Sequence, residues 1–429
     1  MSAVPSPSDA RRARPHFVLA VLVLVYAVNF IDRNLLPILL DPIKQELGAT
    51  DTQMGWLIGF AFAVFYTLAG IPLARLADHG SRRGLMSIGI AFWSVMTAAS
   101  GLVGSYGQLA VARIAVGVGE ASATPAAHAM IADLFPPRRR ARALSIYSTG
   151  ANFGVLFGLL LGGLIQQRFG WRAAFVLIGL PGLLIALLVR TTLPEPRRGE
   201  SEGRVDPGVA PDVATTLRHL ASLATFRHLA IASGLYGICC YGLVAWVPAF
   251  LMRVHALGPA ETGLKSGLAI GLAGAVGTVS VGILTDRLVE RDRRWLLWIP
   301  AAAAALQIPF HVLFVFSATA DAAILALVPI CFLNGIFGAL GYTLAQGLAP
   351  VRMRAMASAT LLFFLNIVGM GLGPMVVGWL NDGLAATRGP EAIRISMLTL
   401  LAANVAGIVH SLLATRTIEG ELGRATAQP

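Results

Sequence analysis

Residues 29–37 read NFIDRNLLP and set Asp32 beside Arg33 inside a run that is otherwise apolar from residue 17 to residue 40. A second stretch, RIAVGVGE at 113–120, places Arg113 and Glu120 inside another apolar run, from 107 to 134. A charge in hydrocarbon costs at least ~2.5–3.5 kcal/mol even on lenient insertion scales, so four of them without purpose or partner are not expected. A site is expected where they meet.

These runs belong to a chain of 429 residues, 56% hydrophobic and 13% charged, with a mean hydropathy of +0.72. A soluble domain could not hide that much apolar surface, so the chain reads as an integral membrane protein of all-α class. Twelve stretches are long enough to cross the ~30 Å hydrocarbon core as helices of roughly 20 residues each. The net charge of +11 could suggest nucleic acid, but the basic residues are scattered through short loops and not gathered on one domain. Clusters such as Arg82–Arg83 and Arg138–Arg140 fall on one side of the spans, and the positive-inside rule puts that side and both termini in the cytoplasm of an inner membrane. The first apolar stretch is too long for a signal-peptide core. Cys239, Cys240 and Cys331 all lie within spans, without disulfide or metal-ligand spacing, and read as small apolar fillers. No cofactor or metal is implied.

The chain repeats itself. ARLADHGSRR at 74–83 returns as GILTDRLVERDRR at 282–294, with Asp78 and Asp286 separated by 208 positions. RARALS from Arg140 returns as RMRAMAS from Arg352. Two six-helix halves in parallel orientation follow, over 17–190 and 225–415, flanked by an N-terminal segment (1–16) and a tail (416–429). Between them, 191–224 is rich in Pro, Gly and charge and reads as a linker, with a short amphipathic helix over 213–223.

These features resemble the major facilitator superfamily over nearly the whole chain. Its loop signature, roughly GxLxDRxGRR, is matched around Asp286 by Gly282, Leu284 and Arg287, and less fully around Asp78, where Arg82 and Arg83 remain. Arg113, Gly117 and Gly119 match the family's fourth-span pattern, and Gly150, Gly154, Gly158, Gly162 and Gly163 its fifth-span glycines. NFIDRNLLP, the stretch from Arg113 through RRRARA, GWRAAF at 170–175 and MRAMASATLLFFLNIVGMGLGP at 353–374 are similar to the spinster branch. That resemblance implies a proton-coupled secondary transporter for a lysophospholipid or related lipid, and a two-half major facilitator fold.

Within the charged set, Arg113 and Glu120 are seven residues apart, two helical turns, so both point to one side of their span. Asp32 and Arg33 point about 100° apart. One arrangement pairs Asp32 with Arg113 and leaves Arg33 and Glu120 bordering the cavity, and the exchanged pairing, Arg33 with Glu120, is the alternative. The plain alternative is a structural lock between two helices, but desolvation offsets much of a buried pair's attraction, and two such pairs at a cavity suit charge exchange. Glu120, with Asp32 as second candidate, is expected to couple transport to protons, since a carboxyl can take up and release a proton and arginine cannot. Arg33 and Arg113 are the expected anion ligands, because a guanidinium offers a fork of donors. The later half has no comparable charge and offers Tyr236, Tyr241, Trp246, Asn334, Gln346, Phe363, Phe364 and Asn366, of which Tyr236, Tyr241, Phe363 and Asn366 are the expected substrate contacts. An amphiphile with its anionic head toward the first half and its tail toward the second fits this asymmetry. Small organic anions such as sugar acids, or drug-like amphiphiles, are the alternative.

Asp78, Arg82, Arg83, Asp286 and Arg287 are expected to act as a conformational latch on the cytoplasmic face, with the acids accepting bonds from loop arginines or helix N-termini. His128 and His311 read as packing residues, and the glycine strings at 117–119 and 369–373 as helix-crossing points, since no strand precedes them as a dinucleotide loop requires. Nothing marks an enzyme or a channel filter. The expected partners are the anionic substrate, protons and membrane lipid, with the chain acting as a monomer and binding no nucleic acid.

Overall fold

The computed structural model describes residues 15–195, 212–350 and 353–427, and among these every regular element is helical. The side chains of Asp78, Asp286 and Arg287 lie outside the described residues. The earlier part of the chain forms α1 (Pro15–Leu47), α2 (Asp51–Trp56), α3 (Phe62–His79), α4 (Arg82–Ser100), α5 (Tyr106–Glu120), α6 (Ala123–Leu134), α7 (Pro137–Gly179) and α8 (Pro181–Thr192). After a short helix α9 (Val213–Ser222), the later part forms α10 (Ala224–His255), α11 (Pro259–Gly267), α12 (Ala273–Val289), α13 (Trp295–Val315), α14 (Ala320–Asn334), α15 (Phe337–Leu348), α16 (Arg354–Phe364), α17 (Gly373–Arg388), α18 (Ala392–Ala414) and α19 (Ile418–Ala427). Three π-helical turns, Leu57–Ala61, Leu268–Leu272 and Leu365–Leu372, join α2 to α3, α11 to α12 and α16 to α17.

Among the described residues, seven helical stretches are apolar and long enough to cross a membrane, and two of them, Arg142–Thr192 and Met356–Ala414, run to 51 and 59 residues. Each of those two exceeds one crossing of roughly 20 residues. The first turns at Gly170, whose φ of +80° is open to glycine without a Cβ penalty.

The apolar run over 107–134 is broken in two, between α5 and α6, and the later stretch over 320–348 is broken likewise, between α14 and α15. At the first break the Ser122 hydroxyl donates to the Gly119 carbonyl at 2.7 Å and the Ser122 N–H reaches the same carbonyl at 3.2 Å, diverting it from the regular ladder. At the second, Gln307 Nε2 donates to the Ile330 carbonyl at 3.1 Å, one turn before α14 ends. Pro125 sits in the first turn of α6, where a missing N–H costs no helical bond, and Pro374 follows directly on the π-helical turn that joins α16 to α17.

Three apolar clusters show where the parts meet. One draws only on the earlier helices (Leu22, Trp93, Met130, Tyr147) and one only on the later ones (Leu229, Leu297, Leu344, Leu361). The third joins both, through Leu39, Met54 and Trp171 with Trp246, Phe250 and Phe314. That joint lies toward one end of the bundle. A Cβ added at Gly59 would lie 2.6 Å from the Gly371 carbonyl oxygen, and one at Gly263 2.2 Å from that of Leu159, so the backbones touch across the joint. Farther along α3, a Cβ at Gly70 would meet nothing within 4 Å. The close contacts between the two parts gather at the end that holds Gly59 and Gly263.

Candidate functional site

Helices α1 and α5 bring the four charges together as two ion pairs. Arg113 Nη1 donates to Asp32 Oδ1 at 2.7 Å, and Arg33 Nε donates to Glu120 Oε2 at 2.7 Å. The partners on α5 lie two turns apart while those on α1 are neighbours, and the long guanidinium arms take up the difference. Thr97, from α4, donates its hydroxyl to Asp32 Oδ2. Asp32, Arg113 and Glu120 are buried at 3%, 3% and 0% exposure, so water contributes little to screening these charges.

Arg33 is held differently from Arg113. Its Cζ lies 5.0, 4.7 and 4.6 Å from the ring centres of Phe30, Phe62 and Tyr66, a cation–π enclosure on an otherwise apolar wall. Arg33 Nη2 and Glu120 Oε1 make no hydrogen bond. Each therefore keeps capacity for a ligand or a proton. The aromatic enclosure could not be read from the sequence, because Phe62 and Tyr66 reach Arg33 only when α3 folds across α1.

One cavity adjoins these groups, and a second shares a wall with it. The one of about 220 Å³ is lined by Arg33, Arg113, Phe30 and Phe62 together with Tyr241 and Met370. The one of about 390 Å³ is lined largely by the later helices. Tyr241 lines both cavities, and Tyr236 lines the larger one, with its hydroxyl 2.9 Å from Ser411 Oγ. Phe363 and Asn366 line neither. Leu361 does face the larger cavity, and Phe363, two residues on and so about 200° around the helix, is 47% exposed on the far side. Asn366 is buried within the π-helical turn between α16 and α17. His311 is buried with Nε2 3.1 Å from the Met397 carbonyl, and His128 packs edge-on against Tyr147.

The closed end is fastened by charges that nothing in the sequence singles out, since acids and bases at span ends are ordinary. Arg253 of α10 reaches Asp41 of α1 at 2.5 Å and Asp51 of α2 at 2.5 Å, and Lys44 adds a bond to Asp51 at 2.6 Å. Asp382 of α17 accepts from the backbone N–H of Asp51 at 3.0 Å and of Thr52 at 2.7 Å, and from the Thr52 hydroxyl at 2.6 Å. The next N–H, of Gln53, goes to Thr50 Oγ1 at 3.1 Å. The first turn of α2 is thus satisfied partly by a carboxylate from the later helices, which also meets the positive end of the helix dipole. Replacing Asp382 by Ala removes this cap, worth about 1 kcal/mol. The expected result is a several-fold larger population with the closed end parted, read as lengthened distances between spin labels placed across it. Unchanged distances would show that the cap does not hold this end shut.

Of the expected latch residues, Arg82 is buried. It pairs with Asp133, and its Nε donates to Glu195 Oε1 at 3.1 Å. Glu195 also accepts from the Ser81 hydroxyl at 2.7 Å and the N–H groups of Arg82 and Arg83 at 3.0 and 3.1 Å, so it caps α4. Partial burial pushes the Glu195 carboxyl up, but these donors outweigh it and hold the group below the usual carboxylate range. Arg83 Nη1 donates to the Leu193 carbonyl at 3.1 Å. Asp133 and Glu195 were not singled out from the sequence, because nothing local links 133 or 195 to position 82.

Known proteins share this architecture. The model of the Major Facilitator Superfamily matches residues 22–374. An MFS-type efflux pump of Mycolicibacterium smegmatis is 35% identical over 415 residues, covering 94% of each chain. A probable galactarate/D-glucarate transporter of Bacillus subtilis is 24% identical, over 90% of this chain and 89% of its own. Among solved structures, a bacterial homologue of the human lysosomal transporter spinster, inward-facing and unoccupied, superposes with a TM-score of 0.86 at 28% identity, covering 96% of this chain and 98% of that one.

Proposed function

The chain belongs to the Major Facilitator Superfamily, whose members are transporters and not enzymes, and on that premise we propose that it is a proton-coupled carrier for an amphiphilic organic anion. The observation that carries this reading is the pair of ion pairs, Arg33–Glu120 and Arg113–Asp32, buried beside an apolar cavity. Protonation of Glu120 weakens its hold on Arg33 and frees that guanidinium for the anion, and deprotonation restores the pair. The apolar and aromatic lining accommodates the rest of an amphiphile, such as a lysophospholipid. Twelve crossings in two six-helix halves rock about this site in an inner membrane with both termini cytoplasmic. In that orientation the fastened end faces outward, and Arg82, Arg83 and the acids Asp78 and Asp286 form the cytoplasmic latch. The form described is then open inward, the conformation in which the bacterial spinster homologue was solved.

A second reading, transport of a small hydrophilic anion such as a sugar acid, is favoured by the Bacillus subtilis relative. Proteoliposomes loaded in turn with a lysophospholipid and with glucarate, under an imposed pH gradient, separate the two. Gradient-driven movement of the lysophospholipid alone supports the first, and of glucarate alone the second. For whichever anion moves, Arg33→Lys keeps the charge and loses the planar fork, and binding should weaken by roughly 1.5–3 kcal/mol in a direct titration. Binding equal to wild type would reassign Arg33 to a structural role.

A further inference from the structure

Two of the broken helices break in the same way. α5 ends at Glu120 and α6 resumes at Ala123; α14 ends at Asn334 and α15 resumes at Phe337. The intervening backbone matches, with φ −61°, ψ −17° at Ala121 against φ −59°, ψ −14° at Gly335, and φ −74°, ψ −28° at Ser122 against φ −79°, ψ −33° at Ile336. Glu120 and Asn334 stand 214 positions apart, in line with the 208 between Asp78 and Asp286. Asn334 is the counterpart of Glu120 in the later helices.

The counterpart is an amide where the earlier helices carry an acid. It does not titrate, and it offers one acceptor oxygen and an NH₂ donor. Its Oδ1 accepts from Gln307 Nε2 at 2.7 Å, and Gln307 is 1% exposed and itself fixed by a bond to the Ile330 carbonyl at 3.1 Å. With the oxygen held, Nδ2 is left without an acceptor. Asn334 lines the cavity of about 390 Å³ beside Asn152, Ser233 and Tyr342. Cys240 and Tyr241 line both this cavity and the one that contains Arg33, so the two share a wall. Interrupted helices are tolerated inside a membrane where they line a cavity, and Nδ2, covered in this form, is a donor still in need of an acceptor.

We propose that Asn334 is a substrate-binding residue, a fixed neutral donor for an acceptor oxygen on the body of the anion whose charged end meets Arg33, with Gln307 as its positioning residue. This rests on the amphiphilic-anion reading and narrows it. The substrate carries ester, ether or hydroxyl oxygens between its charged head and its chain, and a bare alkyl anion is a poorer ligand.

The test uses the full chain in lipid nanodiscs and two probes with the same phosphate head and a long chain. These are palmitoyl lysophosphatidate, which has ester and hydroxyl oxygens, and hexadecyl phosphate, which has none between its head and its chain. Wild type should bind lysophosphatidate about tenfold more tightly, the size of effect expected when a built donor finds or misses its acceptor. Asn334→Leu and Gln307→Leu should each erase that preference while leaving hexadecyl phosphate binding unchanged, which also shows that the variants are folded. Wild type binding both probes equally overturns the inference alone, as does a preference that survives Asn334→Leu. Equal loss of both probes in Asn334→Leu, Asn334→Ala and Gln307→Leu assigns the amide pair to helix packing and likewise overturns it. Failure of wild type to bind either probe overturns the amphiphilic-anion reading, and the inference falls with it.

Discussion

Glu120→Gln is expected to retain substrate binding and to lose accumulation driven by a pH gradient. The glutamine keeps the shape of the protonated acid, so Arg33 should spend more time free of position 120 and available to the anion. It cannot cycle, because an amide neither takes up nor releases a proton at working pH. Exchange of labelled for unlabelled substrate at equal pH should therefore continue, while net uptake or efflux against a gradient stops. The geometry supports this division: Glu120 is buried, its Oε2 holds Arg33, and its Oε1 has no partner. Accumulation at the wild-type rate by the Gln variant would pass the coupling role to Asp32.

Removing Arg113 should produce the largest loss of stability. Asp32 is 3% exposed and rests on Arg113 Nη1 and the Thr97 hydroxyl. Arg113→Leu leaves that carboxyl buried with one neutral donor, and breaking a buried pair from one side costs about 3–5 kcal/mol. The double variant Asp32→Leu/Arg113→Leu removes both charges and should recover much of the loss, since two apolar side chains of similar volume avoid the desolvation cost altogether. Thermal unfolding of wild type, the single variant and the double variant in one detergent measures this. A single variant as stable as wild type would show that the pair is solvated, contrary to its burial. Transport should be absent from both variants, which separates the pair's part in function from its part in stability.

How much of this was legible in the sequence follows from the range over which each feature is decided. The membrane class rests on summed hydropathy, and the family on motifs such as the Asp286 loop and the Arg113 to Gly119 pattern, which are contiguous in the chain. The amphipathic helix near 213–223 rests on local periodicity, and α9 forms there. The presence of four charges in two apolar runs is likewise a local fact, because hydrocarbon penalises each charge wherever its partner lies.

Partner choice is not local. Asp32 and Arg33 diverge by about 100°, and only the rotation of α1 against α5 decides that Arg113 meets the first and Glu120 the second. The break after Glu120 goes with the capture of the Gly119 carbonyl by Ser122, which the apolar run over 107–134 does not announce. The fastening of α2 by Asp382 and the bridge from Arg253 to Asp41 and Asp51 join residues more than 200 positions apart. Phe363 and Leu361 are both apolar, and only the seating of α16 turns Leu361 to the cavity and Phe363 away. The sequence alone determined that the charges sit in apolar runs and that this superfamily's loop motif recurs in the two parts of the chain. Tertiary structure alone decided which charges neutralise each other and which polar groups are left open to a ligand, because both depend on distances of a few ångströms between helices far apart in the chain.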